Sequence, residues 1–248
     1  MRSAKNTVFE FGKATLRRLG FNLSFDYPYR NPNKLLVVKC AEFGVNTVLD
    51  VGANCGQFAA GLRSSGYCGQ IVSFEPLSAV HESLTRAAFH DRNWIVMPRM
   101  ALGDTVGTLQ MNVSDNLVSS SLLQVRQRSV DAAPGSAFVG TDEVSVNLLD
   151  DVIDEAWSKP FVLKLDTQGF ELNVLRGAPE TLKMTTVVIT ELSLSPLYAG
   201  GASFADVFRF LEERDFRCIS LFEGFVDRAS NEVLQVDGVF VRNTPISI

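Results

Sequence analysis

The sequence predicts an α/β fold: a mostly parallel sheet with helices on both faces. Two observations carry this expectation. Short apolar runs such as Thr47–Val51 and Phe161–Leu165 lack the polar alternation of a half-exposed strand, as expected of strands covered on both sides. Stretches with helical spacing separate these runs. Strand–helix–strand crossovers are right-handed, which distributes the helices over both faces.

The elements follow in order. Leu35–Phe43 reads as a helix stopped by Gly44, a residue type common just past a helix end. Thr47–Val51 is the first strand, and helical Gln57–Ser65 follows a glycine loop. Gln70–Phe74 is the second strand and Ser78–Phe89 its helix. Trp94–Met100 is a third strand, and Thr108–Val113 an extra one after the turn between Gly103 and Gly107. Phe161–Leu165 and Thr186–Thr190 are the fourth and fifth main strands. Phe204–Glu213 is a helix, and Arg217–Leu221 with Val236–Val241 form a terminal antiparallel pair. Residues 114–145 contain Ser119, Ser120, Ser121, Pro134 and Gly135, show little periodicity, and read as an insertion or active-site loop. The chain therefore divides into a basic N-terminal segment, 1–34, and a main domain, 35–248, with an insertion near 114–145.

Composition excludes several functions. With 248 residues, 23 Lys plus Arg and 28 Asp plus Glu, the net charge is −5, unlike a dedicated nucleic-acid binder. No apolar run reaches the eighteen or so residues of a membrane span. The four cysteines form no C-x-x-C pair, which argues against zinc and disulfides and for reduced thiols in the cytoplasm. The first twenty residues carry Arg2, Lys5, Lys13, Arg17 and Arg18 against Glu10 alone. Lys13 and Arg17 interrupt any signal-peptide core. The two readings of this segment are a docked surface helix, and a cap or peripheral contact with anionic lipid at the inner membrane face.

The most informative segment is Asp50-Val-Gly-Ala-Asn-Cys-Gly-Gln57, a strand end turning through Gly52 and Gly56 into a helix. Glycines let a ligand approach the backbone closely, and the helix start offers free N–H groups. The spacing lacks the middle glycine of a dinucleotide fingerprint, and no Gly-Lys-Ser/Thr marks a phosphate loop. An acid ahead of the loop suits a ligand with both a cationic amine and a carboxylate, such as the methionine end of S-adenosylmethionine. Glu75, ending the second strand, is placed to accept both hydroxyls of a ribose.

Taken together, these motifs resemble the FkbM family of S-adenosylmethionine-dependent methyltransferases. Besides the Asp50–Gln57 loop, the resemblance rests on Phe74-Glu-Pro76, on Ala101-Leu-Gly-Asp104 with Gly107, on Leu163-Lys-Leu-Asp-Thr-Gln-Gly-Phe-Glu171 with Val174–Ala178, and on Asp237–Arg242. It covers roughly residues 45–242. It implies a class I methyltransferase (Rossmann-like) fold with a seven-stranded sheet, and O-methylation of a sugar hydroxyl in a glycolipid or cell-surface polysaccharide, or of a polyketide. It also implies that Asp50, Gly52, Asn54 and Gly56 hold the methionine part of the cofactor, Glu75 the ribose, and Ala101, Leu102 and Asp104 the adenine.

Deprotonating a hydroxyl needs a base or a metal. His81 and His90 lie within or after a helix, away from strand ends. Asp166 and Glu191 close the fourth and fifth strands, and Lys164 on the same strand face needs a carboxylate partner. These three residues are the catalytic candidates. Asp166, Glu191 and Asp237 are candidate ligands for a divalent cation such as Mg²⁺. The competing reading, an NAD-dependent sugar oxidoreductase or epimerase, lacks both the dinucleotide loop and a Tyr-x-x-x-Lys pair.

Overall fold

The computed structural model describes residues 27–244 and Ile246. The basic segment 1–20 lies outside the described residues. A short 3₁₀ turn, Pro28–Arg30, leads into α1 (Pro32–Phe43), three residues earlier than expected. Pro32 sits at a helix start, where its missing N–H costs nothing, and the Asn31 side chain accepts from the Lys34 amide.

There follow β1 (Thr47–Val51), α2 (Gln57–Ser64), β2 (Gln70–Phe74), α3 (Ser78–Ala88) and β3 (Trp94–Val96). The third strand is shorter than expected, because Pro98 offers no amide to the ladder. The chain resumes as β4 (Ala101–Leu102), β5 (Gly107–Ser114), α4 (Gln127–Ala132) and β6 (Phe138–Asn147). Next come α5 (Leu149–Val152), β7 (Phe161–Leu165), α6 (Glu171–Arg176), α7 (Pro179–Lys183) and β8 (Thr185–Ser193). α8 (Phe204–Glu212), β9 (Phe216–Glu223), the small pair β10 (Val226–Asp227) and β11 (Glu232–Val233), and β12 (Gln235–Arg242) complete the chain.

The main sheet has seven strands in the order β3-β2-β1-β7-β8-β12-β9. Neighbours from β3 to β8 pair in parallel, while β12 runs antiparallel to both β8 and β9. This is the class I methyltransferase fold that the sequence implies. Two apolar layers bracket the sheet. Leu36, Cys40, Ala59, Leu62 and Leu84 pack from α1–α3 onto Val48, Val162 and Val187. Leu172, Val174, Leu182, Val207 and Leu211 pack from α6–α8 onto Leu49, Leu163 and Val188.

Two expectations need correction. The 114–145 region is not all loop: β6 is a ten-residue strand paired antiparallel with β5 and parallel with β4. Its outer residues are largely exposed, with only Val144 and Val146 fully inside, so it lacks the apolar run that marks the main strands. The fifth main strand is also longer than expected and continues to Ser193. The reason is β12, whose antiparallel ladder reaches Gln235–Ser193, past the last residue paired with β7. Glu191 therefore lies inside the strand rather than ending it.

Candidate active site

Strand order reverses between β1 and β7, and the crevice outside their carboxyl ends is where open α/β sheets bind ligands. The loop after β1 is pressed into this crevice. Gly52 has φ 73°, and a Cβ there would lie 1.9 Å from the Asp166 carbonyl oxygen, so only a hydrogen fits. The Gly52 and Ala53 amides both donate to the Phe74 carbonyl, tying the loop to β2.

Two cavities flank the loop. The first is walled by Gly52, Asn54, Glu75, Ala101, Leu102 and Phe170 among others. The second lies on the α1–α2 side and is walled by Asn54, Phe58, Lys164, Asp166 and Asp237 among others. Gly52, Asn54, Val118 and Asp166 border both, so the cavities meet at the end of β7.

Glu75 forms part of the floor of the first cavity and is 4% exposed. Its Oε2 accepts from the Asn54 amide and its Oε1 from the Leu77 amide, each at 2.9 Å. Burial pushes the carboxyl up to about 7 against the pull of those two amides and of Lys164. Each oxygen retains a lone pair for a hydroxyl donor in the cavity.

Asp50 is the residue that the resemblance gives, with the loop, to the methionine part of the cofactor. It is fully buried beneath the loop, outside the walls of either cavity, with Oδ1 3.1 Å from Lys164 Nζ and Oδ2 accepting from Ser73. The register that sets Asp50 beside Lys164 on adjacent strands makes the pair, and Lys164 also donates to the Gly52 carbonyl at 2.9 Å. Burial works against the ammonium, but the carboxylates of Asp50, Asp166 and Asp237 outweigh it and hold its pKa above the ordinary lysine value. Lys164 thus pins the loop from below. Gly56, at the start of α2, fits against the Trp94 ring, and Asp104 accepts from Asn173 at 3.0 Å; neither is a wall of the first cavity.

Acidic groups gather where the cavities meet. The Asp166 side chain, 43% exposed, lies 3.8 Å from Lys164 Nζ. Glu191 and Asp237 sit opposite each other across β8 and β12. Burial, followed by repulsion from Asp166, Glu171 and Asp237, holds Glu191 well above the ordinary carboxyl range. Burial and Asp166 push Asp237 up to about 6. Glu171 is buried and faces its own turn: Oε1 accepts from the Thr167 and Gly169 amides. Among the described residues, no group of three or more His, Cys, Asp or Glu is arranged to hold a metal ion. The geometry gives the reason. The Gln168 amide stands between Asp166 and Glu191, and the Lys164 ammonium already supplies positive charge beside Asp166. Gln168 and Tyr198 do not stand out as site residues in the sequence. A glutamine in a polar turn and an isolated tyrosine carry no spacing signal. His81 holds the Met97 carbonyl at 2.8 Å, on α3.

Residues 50–218 match the family model for the methyltransferase FkbM domain. The chain belongs to that family. The FkbM domain so defined runs from the acid beneath the loop to β9 and contains the loop, Glu75, Asp166 and Glu191. The chain is also similar to the methyltransferase sdnD of Sordaria araneosa, 29% identical over 157 residues. That match covers 54% of this chain and 60% of the relative. Two solved structures are looser likenesses. Magnesium protoporphyrin IX methyltransferase from Synechocystis, solved with bound SAM, is 10% identical with a TM-score of 0.47, over 96% of this chain and 97% of that one. Ribosomal protein L11 methylase from Lactobacillus delbrueckii is 11% identical with a TM-score of 0.46, over 90% and 82%. No helix among the described residues of this FkbM-family chain is long and apolar enough to cross a membrane.

Proposed function

We propose that this chain transfers the methyl group of S-adenosylmethionine to a hydroxyl oxygen of a sugar, in a glycolipid or a cell-surface polysaccharide. The observation that carries the cofactor assignment is Glu75. Two backbone amides hold this buried carboxylate in the floor of a cavity that starts at a glycine where no side chain fits. The residues present suit the cofactor. Glu75 matches a ribose diol, Ala101, Leu102 and Phe170 give apolar walls for an adenine, and Asn54 borders both cavities. The cofactor, when bound, supplies an electrophilic methyl group.

The remaining work falls to the chain. The second cavity receives the acceptor. Asp166, exposed where the cavities meet, takes the proton from the hydroxyl. Lys164 holds the loop and Asp166 in register from below. The sugar acceptor rests on the family resemblance, and the Asp166 and Asp237 carboxyl groups in the wall of the second cavity support it by offering acceptors to a polyhydroxylated ligand.

The experiment is calorimetric titration with S-adenosylhomocysteine and, in parallel, with NAD. The expected result is a single site for S-adenosylhomocysteine and none for NAD. Binding of NAD alone would overturn the reading. Methyl transfer to a panel of glycosides then tests the acceptor, and Asp166→Asn should lower the transfer rate by about 10²–10⁴-fold.

A further inference from the structure

Gln168 occupies an unusual position. It has φ 53°, the left-handed region that a glutamine rarely adopts, in the turn between β7 and α6. Four hydrogen bonds keep it there. Its Nε2 donates to Asp166 Oδ1 at 2.7 Å and to Glu191 Oε2 at 3.1 Å. Its Oε1 accepts from the Tyr198 hydroxyl at 2.6 Å. Its main-chain carbonyl accepts from Ser121 Oγ at 2.7 Å. Both amide hydrogens are thereby spent on two carboxyl groups. The tyrosine fixes which end of the amide faces them, since a flipped amide would set its oxygen against both acids.

We propose that Gln168 is a positioning residue that yokes Asp166 to Glu191, with Tyr198 and Ser121 setting its orientation. The inference rests on the reading of Asp166 as the proton acceptor. One amide bridging two acids fixes the direction in which Asp166 presents Oδ2, the oxygen 3.8 Å from Lys164 Nζ, which an aspartate without that amide does not do for itself. Ser121 brings a second element into the arrangement. It lies in the segment after β5 that contains Val118, a residue bordering both cavities. The segment bordering the cavities and the acid where they meet are thus joined through one residue.

The test is carboxyl titration of Glu191 by NMR in the full chain labelled with ¹³C-glutamate, assigned by its loss in Glu191→Gln. The groups facing Glu191 are Asp166, Glu171, Asp237, Lys164 and Tyr198, and all stay in place. Gln168→Gly accepts the left-handed backbone without strain and removes only the side chain. A lost donor disfavours the ionised form, so Glu191 should titrate about one pH unit higher in Gln168→Gly, and higher by less in Tyr198→Phe. A residue that merely fills space would give the opposite result, because water entering the gap lowers the titration. An unmoved or lowered Glu191 titration in Gln168→Gly overturns the proposal. The cofactor reading fails separately, by absence of S-adenosylhomocysteine binding to the unaltered chain.

Discussion

At Glu75, burial and ligand recognition oppose each other, which makes the residue a pH probe. Its carboxyl is pushed up to about 7, so the free protein carries it largely protonated below that pH. A ribose diol prefers the ionised form. Affinity for S-adenosylhomocysteine should therefore rise with pH up to about 7 and then level off, with proton release on binding below that point. Calorimetry in buffers of different ionisation heat reads both. Glu75→Ala should weaken binding by about 1.5–3 kcal/mol and flatten the profile. Asp50 behaves differently. Its removal strands a buried ammonium, so Asp50→Ala should cost about 3–5 kcal/mol in urea unfolding. If it lowered affinity while leaving stability untouched, Asp50 would be a ligand contact after all. Both acids are visible in the sequence because Asp50 leads into the glycine loop and Glu75 ends the second strand. It could not separate them, since which acid faces the cavity depends on the β1–β7 register that sets Asp50 against Lys164.

The loop between β1 and α2 is specified by its neighbour as much as by its own residues. A methyl group at position 52 meets the Asp166 carbonyl, and φ there is 73°. Gly52→Ala should both destabilise the fold and abolish S-adenosylhomocysteine binding, read by thermal melting and titration together. Wild-type behaviour in both would mean that the loop does not press on β7. The buried strands were legible because strands covered on both faces are apolar throughout. β6 was not, because its exposed residues hide the alternation. The true length of β8 was equally hidden, since it is set by a partner some forty residues downstream.

Across the whole molecule, buried acids make stability depend on pH in an unusual direction. The folded pKa values of Glu75 and Asp237 lie above their ordinary values of 4.5 and 3.8, at about 7 and about 6. Between those limits the folded state binds more protons than the unfolded state, so stability falls as pH rises. Asp91, lowered by its hydrogen bond from Arg63, and Asp142, lowered against burial by the Ser78 amide and then by Arg99, lose their contribution only in more acidic solution. Urea unfolding should therefore show greater stability near pH 5 than near pH 8, and bound S-adenosylhomocysteine should reduce the difference. A stability that climbs steadily from pH 5 to 8 would contradict the burial of these acids.

The placement of β12 also has a consequence for how the protein is made. Among the strands of the sheet it comes last in the sequence, yet it fills an interior slot, between β8 and β9. Until residues 235–242 have been made, β8 and β9 each lack the antiparallel partner that stands between them. The growing chain therefore carries two open strand margins up to that point, and the seven-stranded sheet closes only when this segment inserts between them.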